Sequence, residues 1–351
     1  MSDKAEIDKK KERVHNKGLD NLKVMLTILV VFHHAGQAYG NGGSWPYSPS
    51  NQQEHLPWIW HFFSVNAAFF MGLFFFISGY FVPRSYDKQG GKLFVKRKFI
   101  RLGTPLFAMG TLLSLACKRI ELGHMWYIES LLLFCLLYAL VRQVCLPIHH
   151  SCQSRPTLIG LTIVGSVMGI GSFFIRQIYP QDYWIWALDI IPLPLEPAHY
   201  LQYVLMFALG ILSWRFGWMN KTKPYVGLTS LLLGCGLSIG IYVREEGAWN
   251  DFVTQWFGFY ESLLCVFLSF GLLWLFNQHL NKASRFLSWC SAQSYGVYIV
   301  HLPIIIGIQH AVDEMWMGAW GKFFFVGITA MFISYLLVAG LRCSTIVKRI
   351  I

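Results

Sequence analysis

Ten stretches of this chain approach the length and apolarity of a membrane span: residues 22–39, 58–82, 101–117, 125–146, 157–175, 198–214, 225–243, 258–277, 293–312 and 323–341. Crossing the hydrocarbon core takes about 20 apolar residues in a helix, and a backbone in lipid has to satisfy its hydrogen bonds internally. The expected fold is therefore an all-α, polytopic transmembrane helical bundle of about ten spans. Charge composition points the same way: only 13% of the 351 residues are charged, against about 25% in a soluble domain.

The distribution of positive charge orients the bundle. With ten spans and both termini in the cytosol, 24 of the 29 Lys and Arg residues fall on cytosolic segments, as the positive-inside rule requires. The net charge of +11 is thereby accounted for by membrane-proximal segments, and nucleic acid is excluded as a partner. Residues 1–21 read as a cytosolic basic arm near anionic lipid headgroups, with no signal-peptide pattern. Residues 22–341 read as the transmembrane domain and 342–351 as a cytosolic basic tail. The expected location is the cell (plasma or inner) membrane, in a multi-pass arrangement. Residues 176–197, with Tyr179, Tyr183, Trp184 and Trp186 among prolines, read as an interfacial loop.

Within the first span, Lys23 and His34 are eleven residues apart, which places both on one helix face about 16 Å apart along the axis. Ionisable groups at membrane depth mark a pathway or a reaction site. The simpler readings are a snorkelling lysine and a histidine hydrogen-bonded to another helix. His33 points about 100° away from its neighbour. Beyond this span, residues 40–57 contain no Lys or Arg but hold Trp45 and Tyr47, which suit either interfacial anchoring or a sugar face. The segment after the second span, expected as a loop, concentrates Lys92, Lys96, Arg97, Lys98 and Arg101. Lys98 and Arg101 are neighbours at helical spacing, suited to phosphate groups or to anionic lipid.

Glu129 in the fourth span and Glu261 in the eighth need a partner or a proton. Glu129 is a candidate to orient an imidazole, or a structural tie to a cation. Pro303 is expected to kink the ninth span and free a carbonyl, and Gly165 with Gly169 to allow close helix packing. Cys145, His149, His150 and Cys152 match no familiar zinc spacing, so no metal is expected. Intramembrane His, Lys and Glu also suit a proton-coupled membrane transporter, although neither an internal repeat nor paired broken helices are evident.

Taken in order, these motifs resemble the acyltransferase 3 family of integral membrane acyltransferases. The carrying residues are Leu19-Asp20 through Lys23 to His33-His34-Ala35-Gly36; Phe74 to Phe81 with Ser78-Gly79; Lys98-Phe-Ile-Arg101 with Pro105; His124-Met-Trp126-Tyr-Ile-Glu129; Tyr200 to Gly210; and Ser294 to His301. The resemblance covers about residues 19–341 and implies O-acyl transfer, usually of acetyl and in some branches of succinyl, to carbohydrate hydroxyls outside the cytosol. It implies acyl-CoA (acetyl-CoA) as co-substrate with no bound cofactor, and membrane lipids as surroundings. Carried over by position, His34 and Glu129 are the catalytic candidates, and Lys23, Lys98 and Arg101, with adjacent Arg97, the donor-binding ones. Trp45, Tyr47 and His33 are left for the acceptor. Lysine stands at 23 and 98 where the family often has arginine, which keeps the charge but gives up bidentate recognition.

Overall fold

The structure is a computed structural model describing residues 16–40, 45–51, 55–118, 121–145, 154–181, 183–185, 195–243, 254–282 and 284–351. All ten expected segments are helical. They are α1 (Lys17–Gln37), α2 (Ile59–Gln89), α3 (Gly91–Cys117), α4 (Trp126–Val144), α5 (Leu158–Ile178), α6 (Pro197–Phe216), α7 (Pro224–Tyr242), α8 (Phe257–Gln278), α9 (Arg285–Ala311) and α10 (Ala319–Leu341). Eight are long and apolar enough to cross a membrane. The other two, α1 and α6, have 21 and 20 residues but hold the polar groups of the interior, including Lys23, His33, His34, His199, Gln202 and Arg215. The chain is a helical, multi-pass membrane bundle.

Local chemistry sets several helix starts. The Asn16, Thr157 and Ser284 side chains accept from the backbone N–H three residues on, at 3.1, 3.1 and 3.0 Å, which satisfies orphan donors of the first turn. Pro197 and Pro224 occupy first helical positions, where a missing N–H costs nothing. The expected loop after the second span is instead helical: α2 runs on to Gln89 and α3 begins at Gly91. The corner is the single residue Gly90, at φ 74°, a conformation that glycine alone adopts without strain. The basic residues from Lys92 to Arg101 therefore sit on a helix.

Packing places α1 against α2, α8, α9 and α10, and α6 against α2 and α5. The α2–α6 crossing is a backbone-to-backbone contact. A Cβ at Gly79 would lie 2.1 Å from the Phe207 carbonyl oxygen, and one at Gly210 would lie 2.1 Å from that of Phe76. Gly165 and Gly169 pack against Leu263 and Phe259 of α8, as the small-residue spacing leads one to expect. At one end of the bundle Asp87 accepts from Arg142 at 2.9 Å and Arg215 at 2.7 Å, joining α2, α4 and α6. In the tail, Arg342 donates to the carbonyls of Ala292 and Ile351 at 2.5 and 2.9 Å.

Candidate active site

Pro303 lies inside α9, which continues through it to Ala311. Lacking an N–H, it leaves the carbonyl four residues earlier, Ile299, without its helical donor. His124 fills that vacancy through Nε2 at 3.0 Å. His124 stands in a 3-10 turn, Gly123–Met125, that leads into α4, and its own carbonyl accepts from the Tyr298 hydroxyl. The proline turn of α9 and a tight turn before α4 thus hold each other.

His301, fully buried, stands beside that joint. Its Nδ1 lies 2.6 Å from the Tyr298 carbonyl and its Nε2 lies 2.8 Å from Nδ1 of His34. These contacts fix the protons. A carbonyl only accepts, so His301 carries its proton on Nδ1 and offers the Nε2 lone pair. His34 then donates from Nδ1, and its Nε2 is left with a free lone pair. The two rings are stacked, with centroids 5.0 Å apart and an interplanar angle of 26°. His34 is half-buried, so this lone pair belongs to a ring that is held in place but still reachable. The arrangement has the logic of a catalytic triad, with an imidazole and a peptide carbonyl behind the base.

Trp45 stacks on His34, parallel within 14° at 5.8 Å. It is fixed by its indole N–H to Gln309 Oε1 at 2.8 Å, and Gln309 Nε2 donates to the Ala35 carbonyl at 3.1 Å. Tyr47 is a buried peg: its hydroxyl donates to Asp313 at 2.7 Å, and Ser50 donates to the same carboxylate from N and Oγ at 3.0 and 2.5 Å. These hydrogen bonds push the Asp313 pKa down to about 2. Trp45 is accordingly placed on the candidate base itself, whereas Tyr47 is spent on holding the loop.

The remaining sequence candidates divide. His33 packs among Phe62, Phe63 and Phe70, with its ring 5.7 Å from that of His34. Glu129 is not brought to His34: the nitrogen that a carboxylate would orient is held by His301, and no hydrogen bond or ion pair joins the two among the described residues. Lys23 pairs with Asp20 at 2.6 Å and lies over Phe81 at 5.7 Å. Lys98 and Arg101 do not share one face. Phe99–Gly103 is a π-helical turn, whose extra residue rotates Arg101 relative to Lys98. Lys98 leans over Phe94 and reaches the Cys135 thiol. Arg101 lies over Tyr295, whose hydroxyl donates to the Arg101 carbonyl at 2.7 Å. Arg97 and Arg101 are exposed.

Glu261 finds the cationic tie that its burial demands. Arg176 donates to one oxygen at 2.5 Å, and His199 reaches the other at 3.0 Å and Glu196 at 2.9 Å. Of the expected cysteine–histidine cluster, Cys145 is described, while His149, His150 and Cys152 lie outside the described residues. Among the described residues no group of three ligating side chains is placed to hold a metal. Sequence reasoning gave no role to His124, His301 or Gln309. The signal was present, because a histidine inside a span is a functional candidate by default.

A family model described as an acyltransferase domain matches residues 16–118 and 121–339. Glucans biosynthesis protein C of Escherichia coli O6:K15:H31 (strain 536 / UPEC) is 24% identical over 357 residues, covering 88% of each chain. The protein of that name from Escherichia coli K12 is 24% identical over 358 residues, again covering 88% of each chain. No solved structure matches.

Proposed function

This chain belongs to the acyltransferase 3 family, and on that premise we propose that it moves an acetyl group from cytosolic acetyl-CoA to a hydroxyl of an extracytoplasmic glucan, with His34 as general base. That it is a membrane O-acyltransferase follows from the family. The observation that carries the finer reading is the hydrogen-bond chain from the Tyr298 carbonyl through His301 to His34, which leaves a lone pair on His34 Nε2. The glucan acceptor is inferred from the name of the relatives.

In this mechanism the acceptor hydroxyl gives its proton to His34 Nε2 while its oxygen attacks the thioester carbonyl carbon. The imidazolium keeps its Nδ1–H on His301 Nε2. As the tetrahedral adduct collapses, the carbon–sulfur bond breaks and the departing thiolate takes the proton from Nε2. The CoA phosphates are held by the exposed Arg97 and Arg101, with Lys23 near the start of α1. The pantetheine arm then has about 16 Å of helix to cover to reach His34. This topology uses ten spans with both termini in the cytosol, supported by the 24 basic residues on the segments it places inside.

The test is full-length protein in liposomes with radiolabelled acetyl-CoA and a gluco-oligosaccharide. Ester-linked label on the sugar is expected, together with its loss in His34→Ala at unchanged protein yield. An active alanine variant removes His34 from the chemistry.

A further inference from the structure

Beyond His34, on the side away from Lys23, lies a cavity of about 430 Å³ whose lining includes His33, Gln37, Trp60, Ser64, Gln181 and Glu261. We infer that this cavity is the acceptor site and that it selects a neutral, hydroxyl-rich sugar over an anionic one. The inference rests on the acyltransferase reading above.

The cavity takes its α1 residues, His33 and Gln37, from the end of the helix remote from Lys23, and its α2 residues from the first turns of that helix, remote from the basic stretch of α3. Its wall at His33 is one ring, 5.7 Å, from the His34 imidazole. Donor and acceptor would therefore meet His34 from opposite ends of the bundle, as transfer across a membrane requires.

Gln37 is a polar handle in that wall: its amide nitrogen lies 3.4 Å from Nε2 of the buried His33, and a primary amide offers both a donor and an acceptor to a sugar hydroxyl.

The chemistry of the wall fits the same ligand. Aromatic faces (Trp60), amides (Gln37, Gln181) and a hydroxyl (Ser64) are what a pyranose with its CH face and hydroxyls needs. Among the described lining residues the one charged group is Glu261, and both its oxygens are already engaged, by Arg176 and His199. A uronate or phosphorylated sugar would meet a carboxylate that is already paired and no cation among the described lining residues. The volume falls within the usual range of small-molecule pockets, about 300–1,000 Å³.

The experiment uses the full-length protein in liposomes with acetyl-CoA and two probes of equal length, a neutral hexose oligosaccharide and an oligouronate. Wild type, Gln37→Ala and Ser64→Phe are compared for the acceptor concentration giving half-maximal ester formation. His34-dependent loss of thioester to water is read in the same samples to count competent protein. The expected result is a rise of about tenfold or more in that concentration for each variant, and ester on the neutral probe alone. An unchanged half-maximal concentration in both variants, or equal esterification of the oligouronate, overturns the inference and leaves the acyltransferase reading standing. A wild type that neither cleaves the thioester nor labels any sugar overturns that reading, and the inference with it.

Discussion

His301 offers the sharpest test of the proposed base. Replacing it with methionine keeps a side chain of similar length but removes the lone pair that receives the His34 Nδ1–H. The bond matters most when His34 is an imidazolium, because a hydrogen bond to a charged group contributes about 1.5–3 kcal/mol, whereas a neutral one contributes about 0.5–1.5. Only the difference, about 1–1.5 kcal/mol, acts on kcat, and with each 1.36 kcal/mol worth about tenfold in rate, kcat falls roughly 5- to 13-fold. The loss is smaller than the ~10⁴ that follows when a triad carboxylate is neutralised, since the group behind His34 is itself neutral. His301→Gln retains an oxygen able to accept the same N–H, and recovers part of the rate. The assay is release of free CoA thiol over a range of acetyl-CoA concentrations. Because His301 touches neither the basic residues nor the donor in this scheme, KM for acetyl-CoA stays near its wild-type value. Retention of wild-type kcat by His301→Met, or an effect confined to KM, refutes the role assigned to the relay.

Other expectations follow from separate parts of the bundle. Arg101→Ala raises KM for acetyl-CoA by roughly 10-fold or more through loss of a charge-assisted phosphate contact, and the wild-type KM rises with salt; a salt-independent KM speaks against phosphate recognition there. Gly79→Val drives a side chain into the Phe207 carbonyl, at a cost of about 1–3 kcal/mol or more, and lowers the thermal unfolding midpoint in detergent. Asp313, held below its ordinary value of 3.8 at about 2, steadies the 45–51 loop above the ordinary value and loses that hold as pH falls through the lower one. Trp45 fluorescence and protease cleavage in the loop should therefore change only in that acid window, and Asp313→Asn should show the released state at neutral pH.

The ten helices were legible because span length and the apolar runs leave little choice once water is absent. Their ends were less so. Lys92 to Arg101 look like a loop by charge, but Gly90 turns the chain in one residue and frees both sides to stay helical. The close approach at Gly165 and Gly169 could be read from spacing. Lys98 and Arg101, by contrast, were paired under regular α-helical phase, and a π turn invisible to that periodicity separates them. His34 was found through its own helix, but its partner lies 267 residues away, and no local pattern relates two positions at that separation. Pro303 announced a free carbonyl. That His124 would be the group to take it depended on where the turn before α4 came to rest.

The chain of rings behind His34 ends on a peptide carbonyl of Tyr298. A carbonyl has no titration curve in the range where proteins stay folded, so the tautomer of His301 is set by a group that acid cannot switch off. A carboxylate in that place would add a further ionisation to the acid side of the rate profile, and would have to be desolvated within the bundle at a cost of several kcal/mol. Within this chain of groups only the two imidazoles, His34 and His301, can contribute to the acid limb of the activity profile.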